Sequence, residues 1–122
     1  MTPVVYDAGV LVAADRSVAD HRVRLEAGLV PVVPAPVVAQ VSRSPSQVQL
    51  RRLLRGCEVV PLTEPMAHAA GQLLGRARSA DVVDAAVVQV AAGLRADVVT
   101  GDRGDISRLI EAAGASCRVV DV

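Results

Sequence analysis

Two hydrophobic patterns alternate along this chain. Short β-branched runs have the length of buried strands: Val4-Val5-Tyr6, Val32-Val33, Val59-Val60, Val98-Val99-Thr100 and Val119-Val120. Longer stretches between them repeat apolar residues at helical spacing. Met66, Ala69, Ala70, Leu73 and Leu74 follow i, i+3, i+4, i+7, i+8, which predicts a core-facing helix opening at Pro65, with His68 off the stripe. Arg76 and Arg78 fall in the loop after it. Ser46 with Gln49 reads as a capping box for a helix to about residue 55, with Leu50, Leu53 and Leu54 inward. Ser17 with Asp20 reads as another, for a helix ending near Gly28 with Val18, His21 and Leu25 on its inner stripe. Further helices are predicted over residues 8–15, 36–43 and 80–93, and through Ile106, Leu109, Ile110 and Ala113 to a stop at Gly114. Strands alternating with helices predict an α/β fold. Strands at about 4–6, 31–33, 59–61, 97–100 and 118–121 should form one five-stranded parallel sheet with helices on both faces. No repeat, low-complexity segment or linker interrupts residues 1–122, so one domain is expected.

Composition narrows the chemistry. Apolar residues make up 52% of the chain, yet it has one Tyr and no Phe or Trp, so the core is built from Val, Leu, Ile and Ala. All 13 basic residues are Arg. Without Lys, a nucleotide-binding P-loop, a Schiff-base enzyme and a phosphoacceptor receiver site are excluded. No apolar run approaches the roughly 18 residues of a membrane span. No basic region precedes the first apolar residues, as a secretory signal would require, and a cytoplasmic protein is expected. Cys57 and Cys117 lie far apart, form no metal-spacing motif, and are read as reduced core thiols.

Aspartates carry the candidate chemistry. Asp7 follows the first strand directly, and Asp102 follows the fourth after Gly101. In an open parallel sheet, ligands bind beyond the carboxyl ends of strands where the winding reverses. If strands one and four are neighbours, Asp7 and Asp102 converge. Asp81 and Asp84 are spaced i, i+3 and share a face of an otherwise apolar helix, Val82 to Val88. Buried carboxylates on such a helix are costly unless something cationic holds them. With Asp105, the set numbers five hard oxygen donors, which suit Mg²⁺ or Mn²⁺. Each also has a plainer reading: Asp81, Asp105 and Asp7 as helix caps, Asp102 as a turn residue.

At this point the sequence resembles a family. The segments Val-Val-Tyr-Asp-Ala-Gly-Val-Leu at 4–11, Val-Pro-Ala-Pro-Val-Val-Ala-Gln-Val-Ser-Arg at 33–43, Ser-Ala-Asp-Val-Val-Asp-Ala at 79–85 and Val-Val-Thr-Gly-Asp-Arg-Gly-Asp at 98–105 are similar to the motifs of PIN-domain ribonucleases, above all VapC-type toxins of toxin–antitoxin systems. The resemblance spans essentially the whole chain. It implies a Mg²⁺- or Mn²⁺-dependent endoribonuclease, an RNA substrate, a homodimer, and a VapB-like antitoxin docking near the site. Asp7, Asp84 and Asp102 match acidic positions that would hold the metal. Asp81 and Asp105 match accessory acidic positions, Thr100 a small polar residue beside the site, and Arg43 a basic residue after the second motif.

One position departs from the pattern. Gln40 stands where the second motif ends in Glu. It keeps a carbonyl oxygen but cannot ionise. The expected function is therefore RNA hydrolysis with a weakened site. The alternative is a degenerate PIN domain that binds RNA or a partner without cutting. Arg43, with Arg51, Arg52 and Arg55 on one helix side, are candidate contacts to the phosphate backbone.

Overall fold

A computed structural model describes residues 1–122, apart from the side chains of Ala14 and Asp15. Strands β1 (Val4–Tyr6), β2 (Val32–Pro34), β3 (Glu58–Val60), β4 (Asp97–Thr100) and β5 (Val119–Asp121) form one parallel sheet in the order β3-β2-β1-β4-β5. This is the α/β class and the strand set that the β-branched runs predict. Helices α1 (Ala8–Val12), α2 (Ala14–Glu26), α3 (Ala35–Val41) and α4 (Val48–Arg55) pack among themselves. Helices α5 (Glu64–Ala77), α6 (Val82–Leu94) and α7 (Arg103–Ala113) form a second layer. The winding reverses after β3 while crossovers stay right-handed, so the two layers cover opposite faces.

The three inner strands are buried throughout, as parallel strands covered on both faces must be. Val5, Val33 and Val98 are fully enclosed. Leu73, Val87 and Leu109 reach this core from one helical layer, and Val10, Val37 and Leu53 from the other. Leu54 is half-buried, and His68 is solvated beside Glu64, as its place off the stripe predicts. Both cysteines are free and half-buried. Burial pushes the Cys57 thiol up to about 12, so it stays protonated at neutral pH.

Several local expectations fail for identifiable reasons. The first helix stops at Val12, where the Ala13 N–H bonds the Gly9 carbonyl, and α2 begins directly afterwards. Ser17 therefore lies inside α2 rather than capping it, and its buried hydroxyl donates to the Val10 carbonyl at 3.0 Å. Leu25 ends partly exposed. Ser46 caps nothing in α4, which opens two residues later. The Gln47 side chain closes that loop instead, accepting from the Arg43 and Ser44 backbone and donating to the Val41 carbonyl. Arg76 belongs to the last turn of α5, and the loop begins at Arg78 in the left-handed conformation. Strand β3 spans residues 58–60 and excludes Pro61, which has no N–H for a ladder.

One polar chain is buried beneath β1. The Tyr6 side chain is fully enclosed, and its hydroxyl lies 2.9 Å from His21 Nδ1. Arg24 donates to the same hydroxyl at 3.1 Å. An arginine can only donate, so the phenol oxygen accepts from Arg24 while the hydroxyl shares a hydrogen bond with Nδ1, and His21 Nε2 is buried without a hydrogen-bond partner. Burial, then Arg24, lowers the His21 pKa. His21 is thus a packed structural residue rather than a ligand.

Candidate metal centre

The register of β1 on β4 sets Tyr6 opposite Val99, so the residues after the two strands lie side by side. They sit at the carboxyl ends, where the strand order reverses. Asp7 is buried and caps α1, one carboxylate oxygen accepting from the Ala8 N–H at 2.7 Å. Its other oxygen accepts from the Thr100 hydroxyl at 2.6 Å. Thr100, fully buried, in turn accepts from the Asp102 N–H at 2.9 Å. One hydroxyl therefore orients Asp7 and ties it to the turn that carries Asp102.

Asp81 caps α6, as its plainer reading had it, accepting from the Asp84 N–H at 3.0 Å. Asp84 then falls on the inner side of the first helical turn, only 7% exposed. The cap of α7 is Asp102 rather than Asp105: the Asp102 carboxylate accepts from the Asp105 N–H at 3.4 Å. The cap places Asp105 one turn in, beside Arg108. Carboxylate oxygens of Asp84, Asp102 and Asp105 lie within 4.8 Å of one another.

A cavity of about 290 Å³ opens over these groups. Asp7, Asp81, Asp84 and Asp102 line it, with Gln40 from α3 and the backbone of Gly9 and Gly101. No arginine is among the lining residues. Burial, and then the charges of Asp7, Asp81, Asp102 and Asp105, push the Asp84 carboxyl up to about 7. Partial desolvation, together with Asp105 and Asp7, raises Asp102, whereas the Arg108 guanidinium holds Asp105 below the usual carboxylate range. Only Asp105 of this group has an arginine partner, and such a concentration of negative charge fits a hard divalent cation.

The other sequence candidates lie elsewhere. Arg43 is exposed, with its guanidinium turned back onto the Ala39 and Ser42 carbonyls. Arg51, Arg52 and Arg55 are exposed on α4, and neither they nor Arg43 line the acidic cavity. Two lining residues, Gly9 and Gly101, were not singled out from the sequence. The available signal was a glycine in the first turn of a helix, where propensity disfavours it.

The Thr100 bridge is open to test. Thr100→Val keeps the shape but removes both hydrogen bonds, leaving the Asp102 N–H and one Asp7 oxygen without this partner. Urea unfolding should show a loss of about 1–3 kcal/mol. A loss below about 0.5 kcal/mol would mean that solvent replaces the hydroxyl at little cost.

No family model and no curated protein matches the sequence. Solved structures do match. VapBC2 from Rickettsia felis, bound to a DNA fragment from its promoter, superposes with TM-score 0.70 at 15% identity, over 98% of each chain. DNA-bound VapBC from Salmonella typhimurium gives 0.68 at 15% identity, over 99% of this chain and 98% of the other. PAE2754 from Pyrobaculum aerophilum gives 0.66 at 18% identity, over 99% and 91%. Agreement at such identity is agreement of fold, and over nearly its whole length the chain carries the fold these structures share.

Proposed function

We propose that this chain is a Mg²⁺- or Mn²⁺-dependent endoribonuclease of the VapC type. The observation that carries the reading is the convergence of Asp7, Asp81, Asp84 and Asp102 on one cavity lined by no cationic side chain, with carboxylate oxygens of Asp84, Asp102 and Asp105 within 4.8 Å of one another. Asp7, Asp84 and Asp102 would hold the ion, with Asp81 and Asp105 orienting a water or a second ion. When bound, the ion supplies a Lewis acid that neutralises phosphate charge and lowers the pKa of water. The protein's own part is pre-organisation. Asp7 is fixed through both oxygens, by the Ala8 N–H and by Thr100. The Asp84 carboxyl, raised to about 7, is partly protonated at neutral pH, and an incoming cation would expel that proton. Hydrolysis of the RNA phosphodiester would release a 3′ oxygen as the leaving group. Arg43, Arg51, Arg52 and Arg55, all exposed, are offered as backbone contacts. With no Phe or Trp and its one Tyr buried, base stacking has little to work with, so RNA shape and backbone would set specificity.

The reading extends to a VapB-like antitoxin, a homodimer and a cytoplasmic setting. Two of the similar structures are VapBC assemblies, which supports the antitoxin. No described helix is long and apolar enough to cross a membrane. A second reading rests on Gln40, a neutral side chain at the cavity: a degenerate PIN domain that binds RNA or a partner without cutting. A structured RNA pool separates the two. Cleavage with Mn²⁺ or Mg²⁺ and none with EDTA is expected. Folded protein that binds RNA yet never cuts it would establish the second reading. Millimolar Mn²⁺ should also raise the melting temperature by linkage. Equal melting temperatures with and without it would rule out the metal site.

A further inference from the structure

A glycine in the first turn of a five-residue helix needs an explanation, because it weakens an element that is already short. Gly9 has one in the packing. A Cβ built on Gly9 would lie 2.8 Å from the Gly101 nitrogen and 3.1 Å from the Gly101 Cα. Both are backbone atoms, so no rotamer change relieves the overlap. The reverse contact is unlike it: a Cβ on Gly101 would sit 3.8 Å from the Gly9 Cα, an ordinary separation. The close approach therefore depends on residue 9 and not on residue 101.

What the contact joins is the two halves of the acidic site. Gly9 is two residues after Asp7 on α1, and Gly101 lies between Thr100 and Asp102. We propose that Gly9 is a positioning residue, whose bare Cα lets α1 seat on the β4–α7 turn and thereby sets the separation of Asp7 and Asp102. This inference rests on the metal-site reading above and goes beyond it by assigning the spacing to a residue that touches no ligand. Asp7 is held by the α1 cap and by Thr100, whereas Gly101 and Asp102 are exposed. A methyl group at residue 9 therefore displaces the turn. Restoring ordinary contact takes a shift of about 0.6 Å. Such a shift stretches the 2.9 Å bond from the Asp102 N–H to Thr100, the link that ties Asp102 to Asp7. Metal–ligand distances lie within about 0.2 Å of their standard values, so a shift of this size changes how Asp102 could meet an ion.

The test is Mn²⁺ titration by calorimetry on wild type and Gly9→Ala, with metal-free crystal structures of both. Gly9→Ala should bind Mn²⁺ at least about tenfold more weakly. Its crystal structure should show Asp102 displaced from Asp7 while Asp84 stays in place. Should Gly9→Ala alone fail to fold, the same measurements are made in a Gly71→Ala, Gly75→Ala background. Those two α5 glycines face open space, so alanine adds helix propensity without a clash. Folded Gly9→Ala with wild-type Mn²⁺ affinity would overturn the proposal and leave the metal site standing. An unmoved Asp102 in the crystal would overturn it as well. Wild type that binds no Mn²⁺ would overturn the metal site itself, and the positioning role with it.

Discussion

Replacing Asp84 by Asn is expected to abolish metal-dependent RNA cleavage and to stabilise the metal-free protein. The second effect depends on pH, and its sign follows from the raised carboxyl. Asp84 titrates near 3.8 in the unfolded chain and at about 7 in the folded one. Below about pH 3 both states are protonated and the side chain costs nothing. As pH rises, the unfolded chain loses its proton first, and stability falls until the folded group also ionises near 7. Above that, Asp84 costs on the order of 2–4 kcal/mol, which Asn removes. Paired urea melts at about pH 8 and about pH 3 check this. The advantage of Asp84→Asn should be large at the higher pH and vanish at the lower. His21 works the other way, since its depressed pKa means stability is lost as pH falls below 6.5. It is present in both proteins and cancels from the comparison. An advantage independent of pH would mean that burial and the neighbouring carboxylates do not raise the Asp84 carboxyl.

Gln40→Glu should tighten Mn²⁺ binding by roughly tenfold to a hundredfold. Gln40 borders the same cavity as Asp7, Asp81, Asp84 and Asp102, so a carboxylate there joins the cluster. A unit charge pair at about 4 Å is worth ~4 kcal/mol at an effective dielectric near 20, and desolvation offsets part of it. A net gain on the order of 1–3 kcal/mol remains for a divalent ion held by few carboxylates. Cleavage at limiting Mn²⁺ should rise with affinity. Without metal, the added negative charge should lower the melting temperature at neutral pH and raise the Asp84 carboxyl further. Calorimetric titration of both proteins decides the matter. Equal affinity would mean that the residue 40 side chain swings to solvent, and that Gln in place of Glu carries no mechanistic weight.

The strands were legible because Val-rich runs have few other homes in so short a chain. Parallel strands followed from βα alternation, whereas the adjacency of β1 and β4 was a condition that the strand order meets, and it carries Asp7 and Asp102 to one end of the sheet. Asp84 stood out because a carboxylate among Val82, Val83, Ala85 and Ala86 contradicts its surroundings. What stayed hidden depended on contacts distant in sequence. Ser17 looked like a cap, but the Val10 carbonyl took its hydroxyl. Ser46 and Gln49 looked like a capping box, but Gln47 closed the loop. Asp105 looked like the opening of α7. Asp102 caps it instead, which brings Asp105 within reach of Asp84. The packing of Gly9 on Gly101 joins residues 92 positions apart, and no local pattern reports it.

The buried Tyr6 chain gives the molecule an optical signature of its own. With no tryptophan to outshine it, near-ultraviolet absorption and emission come from one phenol, immediately before Asp7. Burial raises its pKa above 10, with Arg24 partly opposing the shift. Phenolate absorbance in mild alkali therefore reports opening of the β1–α2 packing rather than surface titration. Unfolding can be followed at that single residue with no label attached.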